Sequence, residues 1–145
     1  MNDIRWVQRF SSFRKALAQL EKGLAKEQTS GLNEFEVQGV IKSFEFTYEL
    51  SGNTLKDYFE YQGEADSVKG SRDAFRLGIQ RNILSQGKDW MRMIDSRQQS
   101  SHDYDLVMAE NILKEIRKTY FSLFKELEKS LEEIRSGDQG KLFRP

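Results

Sequence analysis

The stretch Leu32-Asn-Glu-Phe-Glu-Val-Gln-Gly-Val-Ile-Lys-Ser-Phe44 holds the fold in miniature. Asn33, followed three residues later by Glu36, spells a capping box, and Leu32 and Val37 stand in the positions of a hydrophobic staple, so a helix begins near Glu34. Val37, Val40, Ile41, Phe44, Tyr48, Leu55 and Phe59 then recur at helical spacing, which predicts one helix running to a stop at Gly63 with Gly52 as its weak point. A helix of roughly 30 residues buries its apolar stripe against other long helices, and the natural outcome is a bundle.

The flanking sequence agrees. Upstream, Trp6, Phe10, Phe13, Leu17, Leu20 and Leu24 alternate spacings of four and three, predicting a first helix from about Asp3 to Lys26 that Gln28-Thr-Ser-Gly31 brings to an end. Downstream of a polar stretch, Ser71 is placed to cap a shorter third helix carrying Ala74, Phe75 and Ile79. The turn Ser85-Gln-Gly87 separates it from a fourth, on which Trp90, Ile94 and Arg97 share a face. A last helix from about Asp105 to Ser136 carries Ala109, Ile112, Ile116, Tyr120, Phe124, Leu127, Leu131 and Ile134, with Gly137 as its terminator. The expected architecture is therefore all-α, an up-and-down bundle of about five helices in one domain over residues 1–137, followed by a loose tail over 138–145.

Composition limits the chemistry. The only proline is Pro145, 37% of residues are hydrophobic, and ten are Phe, more aromatic surface than one small bundle buries, so a symmetric homodimer is expected. Cysteine is absent, which excludes disulfides, thiolate metal sites and a cysteine nucleophile. No apolar run approaches the ~18 residues that cross a bilayer, and the start Met1-Asn-Asp-Ile-Arg-Trp6 lacks a signal-peptide pattern, so a soluble cytoplasmic protein with no membrane contact is expected.

Formal net charge is zero, but the charges are not evenly spread. Lys69 to Arg97 holds seven basic residues against three acidic ones, while Glu34 to Asp66 holds eight acids against two lysines. The basic run can collect polyanions, with Lys88 and Arg92 as RNA or phosphate contacts, although solvated helix faces give the same pattern. Glu45 and Glu49 lie one helical turn apart, as half of a dinuclear carboxylate site would, but no Glu-x-x-His motif accompanies them. Neither a metal nor a cofactor is expected.

The single histidine, His102, follows Arg97 by five residues and precedes Tyr104 by two. An imidazole titrates near neutral pH and serves as general acid or base, worth roughly 10²- to 10⁴-fold in rate. A guanidinium offers two phosphate oxygens a rigid donor fork. Together they suit cleavage of RNA by its own 2′-hydroxyl, and with one histidine per chain a pair of imidazoles requires two protomers. A structural histidine and a packing tyrosine are the plain alternatives.

Four segments carry a resemblance to a known family: Ser43-Phe-Glu-Phe-Thr-Tyr-Glu-Leu50, Thr54-Leu-Lys-Asp-Tyr-Phe-Glu-Tyr-Gln-Gly63, Ser71-Arg-Asp-Ala74, and Arg97 to Tyr104. Together they resemble the HEPN superfamily, and within it the HEPN component of HEPN/MNT toxin-antitoxin modules, also described as nucleotidyltransferase substrate-binding proteins. That resemblance implies a helical-bundle homodimer and a metal-independent ribonuclease with Arg97 and His102 as its catalytic residues. It also implies a cognate MNT-type nucleotidyltransferase antitoxin that silences the toxin by transferring AMP to Tyr104. An alternative within the same resemblance is a non-catalytic subunit that binds a nucleotide or substrate for a minimal nucleotidyltransferase. Two departures stand out: Gln98 where Asn is frequent, and Ser51-Gly52 where a small residue followed by Trp is common.

Overall fold

The structure, a computed structural model, describes residues 2–100 and 105–142, and among these there is helix and no strand. Helix α1 (Asn2–Ser30) and helix α2 (Glu34–Tyr61) form an antiparallel hairpin closed by Gly31, whose φ of +73° is left-handed and whose N–H bonds the Glu27 carbonyl. The capping box forms as expected: the Asn33 side chain accepts from the Glu36 N–H and the Glu36 side chain accepts from the Asn33 N–H. Helices α3 (Ser71–Gln80) and α4 (Gly87–Ser100) are short. Helix α5 (Leu106–Glu115), a π turn (Ile116–Tyr120) and helix α6 (Phe121–Leu142) follow one another without a break as a single long rod.

Cross-contacts fix the directions. Arg9 Nε donates to Asp57 Oδ2 at 3.0 Å and Lys26 meets Glu36 at 2.7 Å, so α1 and α2 run oppositely. Arg14 meets Glu132 and Arg117 meets Glu27, so α6 is antiparallel to α1. Ser85 reaches Glu126 while Arg92 reaches Glu115, so α4 is antiparallel to the α5–α6 rod. The result is the expected up-and-down bundle, with α3 laid across the C-terminal half of α2.

Aromatic rings make the centre of the core. Phe124 is fully buried and meets Phe13 of α1, Phe44 of α2 and Trp90 of α4 at centroid distances of 6.1, 6.0 and 5.9 Å. Each such pair contributes about 0.5–1.5 kcal/mol beyond area burial. Phe75 of α3 stacks on Trp90 and touches Tyr48, tying the short helices to this cluster.

Two expectations from sequence are corrected. Gly70, not Ser71, is the N-cap of α3, and no side chain caps that helix end. Ser71 is instead turned onto α2, where a Cβ built at Gly52 would lie 2.9 Å from Ser71 Oγ and 3.1 Å from Ser71 Cβ. The small pair Ser51-Gly52 is thus what lets α3 approach α2, and a tryptophan at 52 has no room. Gly137 does not terminate the last helix, which continues to Leu142.

The two helical glycines of α2 give opposite expectations in urea unfolding. Gly39→Ala, with nothing within 4 Å of the new Cβ, raises stability by about 0.5–1 kcal/mol through helix propensity. Gly52→Ala lowers it by about 1–3 kcal/mol through overpacking against Ser71.

Candidate functional site

Arg97 is placed by packing. Trp90, Met93 and Ile94 bury the inner face of α4, and Arg97 continues that face one turn before the helix ends, which turns its side chain toward α2. There its Nη2 donates to Glu49 Oε1 at 2.8 Å and its Nη1 lies 3.6 Å from Glu45 Oε2. Glu45 is the more buried of the two carboxylates and also lies 3.8 Å from Lys42 Nζ. The pair that suggested half a metal site therefore embraces a guanidinium of its own chain. Two cations and two anions balance, so the group presents no net positive charge to a phosphate while Glu49 stays in place.

Tyr48 is buried beside this group. Burial pushes its phenol above the ordinary value, against the opposing pull of Arg97 and Arg72, and Arg72 is in turn 3.7 Å from Asp95.

Arg92 and Lys88 do not join Arg97. Nine residues at roughly 100° each put Lys88 and Arg97 on opposite sides of α4. Arg92 faces the α5–α6 rod, with Nη1 3.1 Å from Glu115, Nη2 3.3 Å from Asp89, and its guanidinium over the Tyr120 ring. Lys88 is exposed on the α3 side. The basic residues adjacent in sequence are distributed over three faces.

A cavity of 440 Å³ opens between the last turns of α4 and the first turns of α5, lined by Ser96, Asp105, Val107, Met108, Asn111 and Glu115 among others. Asp105 is the N-cap of α5, its Oδ1 accepting from the N–H groups of Val107 and Met108. Ser96 Oγ lies 2.6 Å from Tyr120 Oη, at the end of the π turn. Burial raises the Tyr120 phenol above its ordinary value, and the Ser96 bond opposes that. Sequence reasoning missed the π turn, yet a signal was present. Ile112, Ile116, Tyr120 and Phe124 are spaced by four three times running, and a regular α-helix drifts about 120° over those steps. One wider turn restores the stripe, and such turns occur often at functional sites.

His102 and Tyr104 lie outside the described residues. Their neighbours on either side are described: Arg97 clamped to α2, and Asp105 fixed as a helix cap. Among the described residues no group of three or more His, Cys, Asp or Glu side chains is placed to hold a metal ion, and no helix is long and apolar enough to cross a membrane.

Residues 8–133 match the family model described as nucleotidyltransferase substrate binding protein like. No curated protein matches the chain.

The phenols give a test of this geometry. Their raised values mean that the folded state favours the protonated forms of Tyr48 and Tyr120, so their contribution is present below about pH 10, the ordinary tyrosine value, and is lost as pH rises through the raised values. In a ¹³C NMR titration of the tyrosine Cζ carbons, these two ionise later than a free phenol. Arg97→Met moves Tyr48 higher still, because it removes the nearby cation; an unchanged Tyr48 would separate Arg97 from this cluster.

Proposed function

The chain belongs to the nucleotidyltransferase substrate binding protein-like family, and from that we propose that it is the substrate component of a nucleotidyltransferase pair, with Tyr104 receiving the nucleotidyl group. In this proposal the chain is the HEPN component of a HEPN/MNT module, the partner is an MNT-type nucleotidyltransferase, and the group transferred is AMP. The observation that supports it is the anchoring on both sides of residues 101–104. Arg97 is held by Glu45 and Glu49 three residues before α4 ends at Ser100, and Tyr104 directly precedes the Asp105 cap at the lining of the 440 Å³ cavity. The segment that carries Tyr104 thus joins two described, anchored helix ends.

The transfer chemistry is balanced as follows. The Tyr104 oxygen attacks the α-phosphorus of ATP, the new O–P bond forms as the bond to the bridging oxygen breaks, and pyrophosphate leaves. With an ordinary value near pH 10 the phenol needs a base. Asp105 Oδ1 accepts from the Val107 and Met108 N–H groups as the helix cap, and this proposal assigns the base to the partner.

A second reading, the metal-independent ribonuclease toxin, is favoured by one specific feature, the four-residue interval between Arg97 and His102. Here His102 moves the protons and Arg97 stabilises the pentacovalent phosphorane. A phosphate would first have to displace Glu49 from the guanidinium. A homodimer would bring two His102 side chains into play, and the exposed Phe35, Phe46, Leu106 and Val107 supply apolar surface for a second copy. AMP on Tyr104 would then add negative charge and bulk beside the cleft and exclude RNA.

Incubation with the nucleotidyltransferase and α-labelled ATP tests the first reading: label appears on wild type and His102→Ala and is absent from Tyr104→Phe. Label retained by Tyr104→Phe defeats it. A mixed RNA pool in EDTA tests the second: cleavage by unmodified wild type that is lost in His102→Ala supports the nuclease, and no cleavage by a folded wild-type dimer removes it.

A further inference from the structure

On the side of α4 away from Arg97, a groove of 650 Å³ runs between α3 and α4. The spacing of its residues is helical on both sides, Arg76, Ile79 and Gln80 from α3 and Lys88, Met91, Arg92 and Asp95 from α4, so it is a cleft between two packed helices. One end is closed by backbone. A Cβ built at Gly87 would lie 3.3 Å from Ile79 Cγ2, so the first residue of α4 sits directly on the last turn of α3.

The floor and the rim differ in chemistry. Ile79 and Met91, both partly buried, make an apolar floor that suits a flat ring, and a thioether is favourable against an aromatic edge. The charges around the floor are mostly spoken for: Arg92 pairs with Asp89 and Glu115, and Asp95 pairs with Arg72. Arg76 and Lys88 are exposed, line the groove from its two helices, and have no carboxylate at ion-pair distance among the described residues. Two uncompensated cations beside an apolar shelf match a ring that carries a phosphate dianion, of roughly −1.5 to −2 charge at neutral pH. The volume falls in the range of about 300–1,000 Å³ that small-molecule sites occupy.

We infer that the α3–α4 groove binds a nucleoside monophosphate, the base lying on Ile79 and Met91 and the phosphate between Arg76 and Lys88. The choice of a nucleotide over another phosphorylated ring rests on the nucleotidyltransferase reading, whereas the site itself rests on the groove. It is separate from Arg97, because it uses the opposite side of α4.

AMP is the probe, titrated into the whole unmodified chain while the Met91 and Ile79 methyl resonances are followed by NMR. Saturable shifts at these methyls are expected, with binding weakened by about tenfold or more in the double substitution Arg76→Gln, Lys88→Gln. Both side chains are exposed, and circular dichroism checks that the variant keeps its helix content. Adenosine alone and inorganic phosphate alone are each expected to bind at least about tenfold more weakly than AMP. Absence of shifts overturns the inference, as does AMP binding that ignores the double substitution or phosphate binding equal to that of AMP. The outcome is distinguishable from that of the transfer experiment: Tyr104 labelled without methyl shifts defeats the groove alone, and methyl shifts without Tyr104 labelling defeat the transfer alone.

Discussion

The ring of Phe124 meets Phe13, Phe44 and Trp90, and through those three contacts a single side chain fixes α1, α2 and α4 relative to the last rod. Every feature of the candidate site is set by that arrangement. Trp90 determines how α4 is rotated, and its rotation aims Arg97 at α2, Arg92 at the rod and Lys88 at α3. Phe124 can occupy this position because the π turn at Ile116–Tyr120 fits more residues into one turn just before it and takes up the drift, keeping Ile112, Ile116, Tyr120 and Phe124 all buried. The same turn brings the Tyr120 hydroxyl to Ser96, beside the cavity between α4 and α5. Core packing and site geometry are therefore one problem in this fold.

Local signals were legible because they act over one or two turns. The Asn33 and Glu36 capping box, the stripe from Trp6 to Leu24 and the shared face of Trp90, Ile94 and Arg97 all appear in the structure where spacing placed them. The failures came where the deciding contact lies far away along the chain. Ser71 looks like a helix cap, but Gly52 offers it a packing site nineteen residues back, and packing won over capping. Gly137 looks like a stop, yet with nothing within 4 Å of its missing side chain it costs α6 only its own conformational freedom. Clustering of Lys88, Arg92 and Arg97 was inferred from adjacency in sequence, which a helix converts into dispersal.

The charge pattern has a similar explanation. The acidic run on α2 and the basic run from Lys69 to Arg97 mostly neutralise one another or nearby groups within the bundle: Arg97 on Glu45 and Glu49, Arg81 on Glu64, Arg72 on Asp95. Exposed pairs of this kind each contribute only about 0–1 kcal/mol to stability. Their larger effect is on the field outside. Many charges of these two runs are spent inside the bundle in this way, and where the remaining cations sit, more than the net charge of zero, decides where an anion settles.

Helix α4 consequently has two sides that act independently. One carries Arg97, pinned to α2 and leading into the segment with His102 and Tyr104; the other carries Lys88 and Met91 on the α3 groove. Trp90 and Met93, both fully buried, hold the helix rigid between them, so a ligand on the groove side has no soft element through which to move Arg97. Coupling between the two sides requires the whole helix to shift against Phe75 and Phe124, which the aromatic stack opposes. Substitutions on the groove face should therefore leave the Arg97 contacts to α2 unperturbed. That independence is a property of the packing and holds whichever chemistry the segment performs.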